Sequence, residues 1–168
     1  MDNKETQFLQ LIGENKGILF KISKIYQDDP ADRDDLLQEM ILQLWLAFGS
    51  FRGESKFSSW MYRVALNTAI VFFKKQKRRP DNEQLPYQYD KAEEPSLAEE
   101  KEEQLAVFYK AVQQLDKVEK ALIYLYMENQ PYEEIAAMLG ITEGNVRVRL
   151  NRVKNKLKEI IKKMNYEY

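Results

Sequence analysis

The chain has 168 residues, 44% hydrophobic and 32% charged, with 26 basic and 27 acidic side chains and a formal net charge of −1. That length accommodates one large domain or two small ones, and the apolar share suffices for packed cores. Cysteine and histidine are both absent, which excludes disulfide frameworks, thiolate and imidazole metal sites, and serine–histidine or cysteine–histidine catalysis.

No apolar run approaches the ~20 residues that span a bilayer. The first ten residues, MDNKETQFLQ, lack the basic start and apolar stretch of a secretory leader. A soluble, cytoplasmic protein is expected that binds something and catalyses nothing alone; no metal, cofactor or small-molecule substrate is expected.

Glycine and proline are scarce, and helical spacing dominates. Phe8, Leu11, Ile12, Ile18, Leu19, Ile22 and Ile25 predict a first amphipathic segment, interrupted near Gly13 and Gly17. Asp28, Asp29 and Pro30 end it, and Asp32 or a neighbour caps the next helix. Leu36, Leu37, Met40, Ile41, Leu44, Trp45 and Phe48 give that helix a broad apolar face. Residues 49–55 read as a loop. A third helix runs from Phe57 to about Lys77 and carries Trp60, Met61, Val64, Ala65, Thr68, Val71 and Phe72. Pro80 stops it, lacking the amide donor. Residues 80–104 hold three prolines among mostly acidic and polar side chains, a linker by composition, although 98–104 can join the following helix. Leu105, Phe108, Tyr109, Val112 and Leu115 open a second helical unit, and Val118, Leu122, Leu125 and Tyr126 continue it. No β-alternation persists. The expected fold is all-α: two small helical domains, 1–79 and 105–168, joined by the acidic linker 80–104.

The near-neutral total hides a pattern. Residues 1–79 carry net +3, 80–104 net −7, 105–141 net −2 and 142–168 net +5. Two basic zones flanking an acidic stretch are an electrostatic footprint of nucleic-acid binding. For the run Lys74, Lys75, Lys77, Arg78 and Arg79, a merely solvated helix end accounts for the charge equally well.

The most informative stretch is PYEEIAAMLGITEGNVRVRLNRVKNKL, residues 131–157. A short helix buries Ile135, Ala136 and Leu139. Gly140 supplies a left-handed turn at little cost. Ile141 plugs the corner, and Thr142 caps a new helix through its hydroxyl. Val146, Leu150, Val153 and Leu157 form one buried face, and Asn145, Arg147, Arg149, Asn151 and Arg152 the opposite one. This is a helix-turn-helix pattern with a polar, basic outer face. Such a helix fits the major groove, where arginine pairs bidentately with guanine and asparagine with adenine. Lys154, Lys156 and Lys158 lie further along, at phosphate-contacting positions.

In the N-terminal half, ADRDDLLQEMILQLWLAF (31–48) places Asp35, Gln38 and Glu39 on one outer side. They suit a basic partner, yet acids near a helix start also simply favour its dipole. FRGESKFSSWMYRVALNTAIVFFKKQKRR (51–79) sets a loop, aromatic rings and a basic end side by side. That mixture suits single-stranded nucleic acid, where bases stack or enter pockets and cations hold phosphates. Core packing is the competing reading for Phe57 and Trp60.

These segments resemble the sigma factors of bacterial RNA polymerase, in the short two-domain extracytoplasmic-function (ECF) group of the sigma-70 family. DLLQEMILQLW resembles the core-polymerase-binding region, FRGESKFSSWMYRVALNTA the region that melts and reads the −10 promoter element, and residues 115–157 the −35-binding domain. The resemblance implies that Asp35, Gln38 and Glu39 dock on the clamp helices of the polymerase β′ subunit. It implies that the loop of Phe51, Arg52, Gly53, Glu54, Ser55, Lys56 and Phe57 captures a flipped base of the non-template strand. Trp60 and Asn67 then lie beside the base-reading surface, and Arg63 and the basic run 74–79 suit phosphates. Arg147, Val148, Asn151 and Arg152 fall where the family reads the −35 element, and Thr142, Asn145 and Arg149 complete that surface. The linker falls where the family threads an acidic connector toward the active-site and RNA-exit channels. The implied partners are core polymerase and promoter DNA. An anti-sigma factor, common in the family, is compatible with this chain.

The chain departs from the family pattern at a few positions. Val148 stands where relatives often carry a small polar residue, and Asn145 where they often carry threonine; valine offers only apolar contact, for instance to a thymine methyl. Pro131 is a minor departure. No further C-terminal domain and none of the middle domains of primary sigma factors is expected. A stand-alone helix-turn-helix regulator would leave the DLLQEM helix and the FRGESKF loop without a role. A helical adaptor would leave the arginine face unused. A calcium loop starting at Asp28 fails because Pro30 and Arg33 fill positions that need an acid and a glycine.

Overall fold

Among the described residues seven α-helices form, and the way each begins and ends follows from local sequence. The computed structural model describes residues 3–76 and 97–166. The expected stop at Pro80, the basic residues 77–79 and most of the acidic linker lie outside them.

Helix α1 (Asn3–Tyr26) runs without a break through Gly13 and Gly17. The expected interruption does not occur. Each glycine costs a helix interior up to about 1 kcal/mol relative to alanine. Burial of Phe8, Leu19, Ile22, Ile25 and Tyr26 outweighs it, since a fully buried large apolar side chain contributes roughly 1.5–3 kcal/mol. Helix α2 (Pro30–Ala47) starts at Asp29, whose carboxylate accepts from the Ala31 and Asp32 amides, with Pro30 in the first turn. Arg33 staples the α1–α2 corner by donating from Nε to the Gln27 carbonyl and from Nη2 to the Asp28 carbonyl, both at 2.8 Å. A 3-10 turn, Phe48–Ser50, ends α2, and α3 (Phe57–Gln76) follows the loop. Leu36, Met40 and Leu44 of α2 meet Met61, Ala65, Leu66 and Ala69 of α3 in the core.

Helix α4 (Leu97–Gln113) takes in the end of the acidic stretch. Helix α5 (Lys117–Met127) opens with a full capping box between Asp116 and Glu119. Asn129, with φ of 55°, helps turn the chain toward α6 (Tyr132–Leu139). Gly140 closes α6 at φ 66° and ψ 34°, a left-handed conformation that glycine adopts cheaply. Within α6 the inward side chains are Ile135, Ala136 and Met138; Leu139, expected inside, is only half-buried. Helix α7 (Glu143–Tyr166) completes the second cluster.

The two helical clusters also pack on each other. Gln113 Nε2 donates to the carbonyls of Lys24 (3.3 Å) and Ile25 (3.0 Å), satisfying acceptors that the end of α1 leaves open. Tyr26 donates to the Lys117 carbonyl. Tyr124 donates to the Ile18 carbonyl at 3.4 Å, and its ring lies 6.0 Å from that of Tyr62. Lys24 sits 4.3 Å from the Tyr109 ring centre. No described helix is long and apolar enough to cross a membrane.

Candidate nucleic-acid and polymerase interface

The orientation of α7 is set by its buried side. Val146, Leu150, Val153 and Leu157 are 0–5% exposed, so rotation of α7 about its axis is fixed. The Thr142 hydroxyl accepts from the Asn145 amide at 3.2 Å, which caps the helix as its sequence predicts. Asn145, Arg147, Val148, Arg149, Asn151 and Arg152 are consequently all exposed. Val148, at 50%, presents an apolar patch between two arginines. Lys154 rests 3.6 Å from the Tyr126 ring centre. Lys156 pairs with Glu119 at 2.7 Å. These two lysines are therefore tied into the fold as well as lying along the basic face. Sequence reasoning did not find that Arg147 is itself held, by Glu143 at 2.7 Å and by the Tyr132 ring at 4.8 Å. The i,i+4 spacing of Glu143 and Arg147 was the available signal.

In the first cluster, Phe48, Phe51, Phe57 and Trp60 form an aromatic group. Phe51 lies 5.5 Å from Phe57 and 5.2 Å from Trp60, and Phe57 lies 5.4 Å from Trp60. Core packing and a surface role are thus not alternatives here, because Phe51, Phe57 and Trp60 pack together and remain half-exposed. Between them Arg52, Gly53, Glu54, Ser55 and Lys56 are exposed, and Gly53 turns the loop with φ of 72°. One turn and two turns beyond Trp60, Arg63 and Asn67 extend the same side of α3 into solvent. A rigid aromatic floor, a polar loop and a cation on the adjoining helix therefore share one face. Such a surface can hold a flipped base by stacking and its phosphate by charge.

On α2, Asp35 and Gln38 are exposed and Glu39 half-buried, with Gln43 Nε2 donating to Glu39 at 3.0 Å. Below them on the helix, Leu42 and Leu46 are 48% and 67% exposed. The acidic–polar patch thus continues into an apolar one.

Family comparison matches residues 11–79 to sigma-70 region 2 and residues 105–157 to sigma-70 region 4. The chain is 31% identical over 137 residues to the RNA polymerase sigma-H factor of Pseudomonas aeruginosa, covering 75% of this chain and 71% of that one. It is also 31% identical over 144 residues to the ECF RNA polymerase sigma-E factor of Haemophilus influenzae, covering 77% and 75%. Among solved structures, the fold matches the sigma factor RpoE of Bartonella quintana in complex with the anti-sigma factor NepR. The TM-score is 0.67 at 20% identity, over 96% of this chain and 98% of that one. CnrH in complex with the cytosolic domain of CnrY gives the same TM-score at 21% identity, over 94% and 89%.

The helix-turn-helix, the aromatic loop and the acidic–apolar face of α2 thus occur together in a chain that both regions of one family match. The chain belongs to the sigma-70 family, in its ECF group. It directs promoter recognition by RNA polymerase as a subunit without catalytic activity of its own.

Proposed function

We propose a division of labour along this sigma factor in which residues 1–79 bind core polymerase and open the −10 element, 80–104 connect, and 105–168 grip the −35 duplex. Asp35, Gln38 and Glu39 dock on the clamp helices of β′. The loop 51–57 captures a flipped non-template base, with Trp60 and Asn67 beside it and Arg63 on phosphate. Thr142, Asn145, Arg147, Val148, Arg149, Asn151 and Arg152 form the −35 surface. Asparagine and arginine read base edges there, and Val148 offers contact to a thymine methyl.

The observation that carries this reading is the geometry of α7: one face is buried and the other exposes Arg147, Arg149 and Arg152 with Asn145 and Asn151. An anti-sigma factor is a further partner, a reading supported by the two fold neighbours, each solved with such a factor or with a cytosolic partner domain. The test separates the surfaces. Arg147→Ala should weaken −35 binding and leave polymerase affinity intact, and Gln38→Ala with Glu39→Ala should do the reverse. Loss of both affinities in either variant, with the fold intact, contradicts the division.

A further inference from the structure

Arg147 is exposed, yet it is held from two sides. Its Nη2 lies 2.7 Å from the Glu143 carboxylate, one turn earlier on α7. Its guanidinium carbon lies 4.8 Å from the ring centre of Tyr132, the first residue of α6. A surface i,i+4 pair by itself is ordinary. The second restraint comes from a different helix, and its ring is half-buried at the foot of α6. The face of a tyrosine attracts a guanidinium and orients its plane.

We propose that Tyr132 and Glu143 are positioning residues that hold Arg147 as a preset reader of one guanine in the −35 element. The inference rests on the reading of α7 as the −35 helix. An arginine on a helix surface ordinarily samples many rotamers, and fixing it on DNA costs entropy. Here much of that ordering is complete before DNA arrives, so less is lost on binding. A guanidinium has five N–H donors. The contact through Nη2 uses a minority of them, and bidentate pairing with guanine O6 and N7 is still available. Glu143 has a second effect. Its negative charge repels phosphate, so the arginine is kept for a base edge instead of sliding to the backbone. The pair therefore exchanges some non-specific affinity for selectivity.

The experiment uses holoenzyme reconstituted from core polymerase and the full chain, selecting from a library of promoter-length duplexes with randomised sequence. Wild type is compared with Arg147→Ala, Tyr132→Leu, Tyr132→Phe and Glu143→Gln, each first shown by thermal melting to be folded. Arg147→Ala should flatten the base preference at one −35 position. Tyr132→Leu, which keeps apolar bulk and removes the π face, should reduce the preference at that same position by about two- to fivefold. Tyr132→Phe should restore it. Glu143→Gln should reduce it too while raising affinity for unselected duplex. Adding Tyr132→Leu to Arg147→Ala should change nothing further. If Arg147→Ala flattens a position that both Tyr132→Leu and Glu143→Gln leave intact, the clamp is refuted and the −35 reading stands. If Arg147→Ala alters no position, the −35 reading falls and the clamp with it.

Discussion

Lys21 and Glu128, 107 residues apart, meet at 2.8 Å where α1 passes the end of α5. The second oxygen of Glu128 accepts from the Tyr62 hydroxyl of α3 at 3.4 Å. One carboxylate thus ties both helical clusters together. Lys21 is half in water, at 55% side-chain exposure against 20% for Glu128. Lys21→Ala should therefore cost no more than about 1 kcal/mol, as screened pairs do. Glu128→Ala removes the acceptor of Tyr62 as well and should cost about 1–2 kcal/mol. Urea unfolding of both variants and of the double variant measures the difference. Equal costs would show that Tyr62 gains nothing from Glu128.

The phenols at this seam make the protein sensitive to alkali. Burial, followed by the Glu128 carboxylate, pushes Tyr62 up to about 12. Burial also raises Tyr26, with Asp116 adding to it, and raises Tyr124. A folded-state pKa above the unfolded value near 10 means the folded chain holds its proton longer. The stability from these groups is complete below about pH 10 and is lost as pH rises through about 12 for Tyr62. A tyrosinate absorbance titration, followed together with helicity, tests this. The buried phenols should ionise only as helical signal is lost. All ten tyrosines ionising together near pH 10, helicity unchanged, would contradict this.

Gly140 should tolerate substitution poorly. A Cβ there meets nothing within 4 Å, but φ is 66°. The cost is conformational alone, so Gly140→Ala should destabilise by about 1–2 kcal/mol. Gly17→Ala, also with open space around the new Cβ but inside α1, should stabilise by up to about 1 kcal/mol. Opposite signs in a chemical-denaturation comparison are expected. A shift of the same sign would locate the effect outside the backbone.

Asp116 holds the first turn of α5 by accepting from the amides of Val118 and Glu119, both at 2.9 Å. Asp116→Ala should cost about 1 kcal/mol, and Asp116→Asn appreciably less. Thermal unfolding of the two variants checks this. An equal loss for asparagine and alanine would mean that the charge, and not the cap, is what matters.

The sequence makes some parts of this molecule legible and hides others. The α7 face was readable because Val146, Leu150, Val153 and Leu157 repeat at helical spacing and Gly140 and Thr142 punctuate the motif. The continuity of α1 was not, because Gly13 and Gly17 weaken a helix locally and only packing against α2 and α3 restores it. The aromatic loop was ambiguous for a physical reason: Phe51, Phe57 and Trp60 pack and stay half-exposed at once. The Tyr132–Arg147 contact and the seam at Glu128 depend on how helices cross, which no local pattern encodes. The N-cap of α2, expected at Asp32 or a neighbour, is Asp29, because Pro30 suits the first helical position and starts the helix there.

The central claim is that this chain is a dissociable promoter-specificity subunit. The direct measurement is co-migration of the purified chain with sigma-free bacterial core RNA polymerase on a sizing column at moderate salt. A stoichiometric complex, lost on replacing Gln38 and Glu39 with alanine, is predicted. A folded chain that elutes alone, beside a core that binds a known sigma factor under the same conditions, would contradict the account.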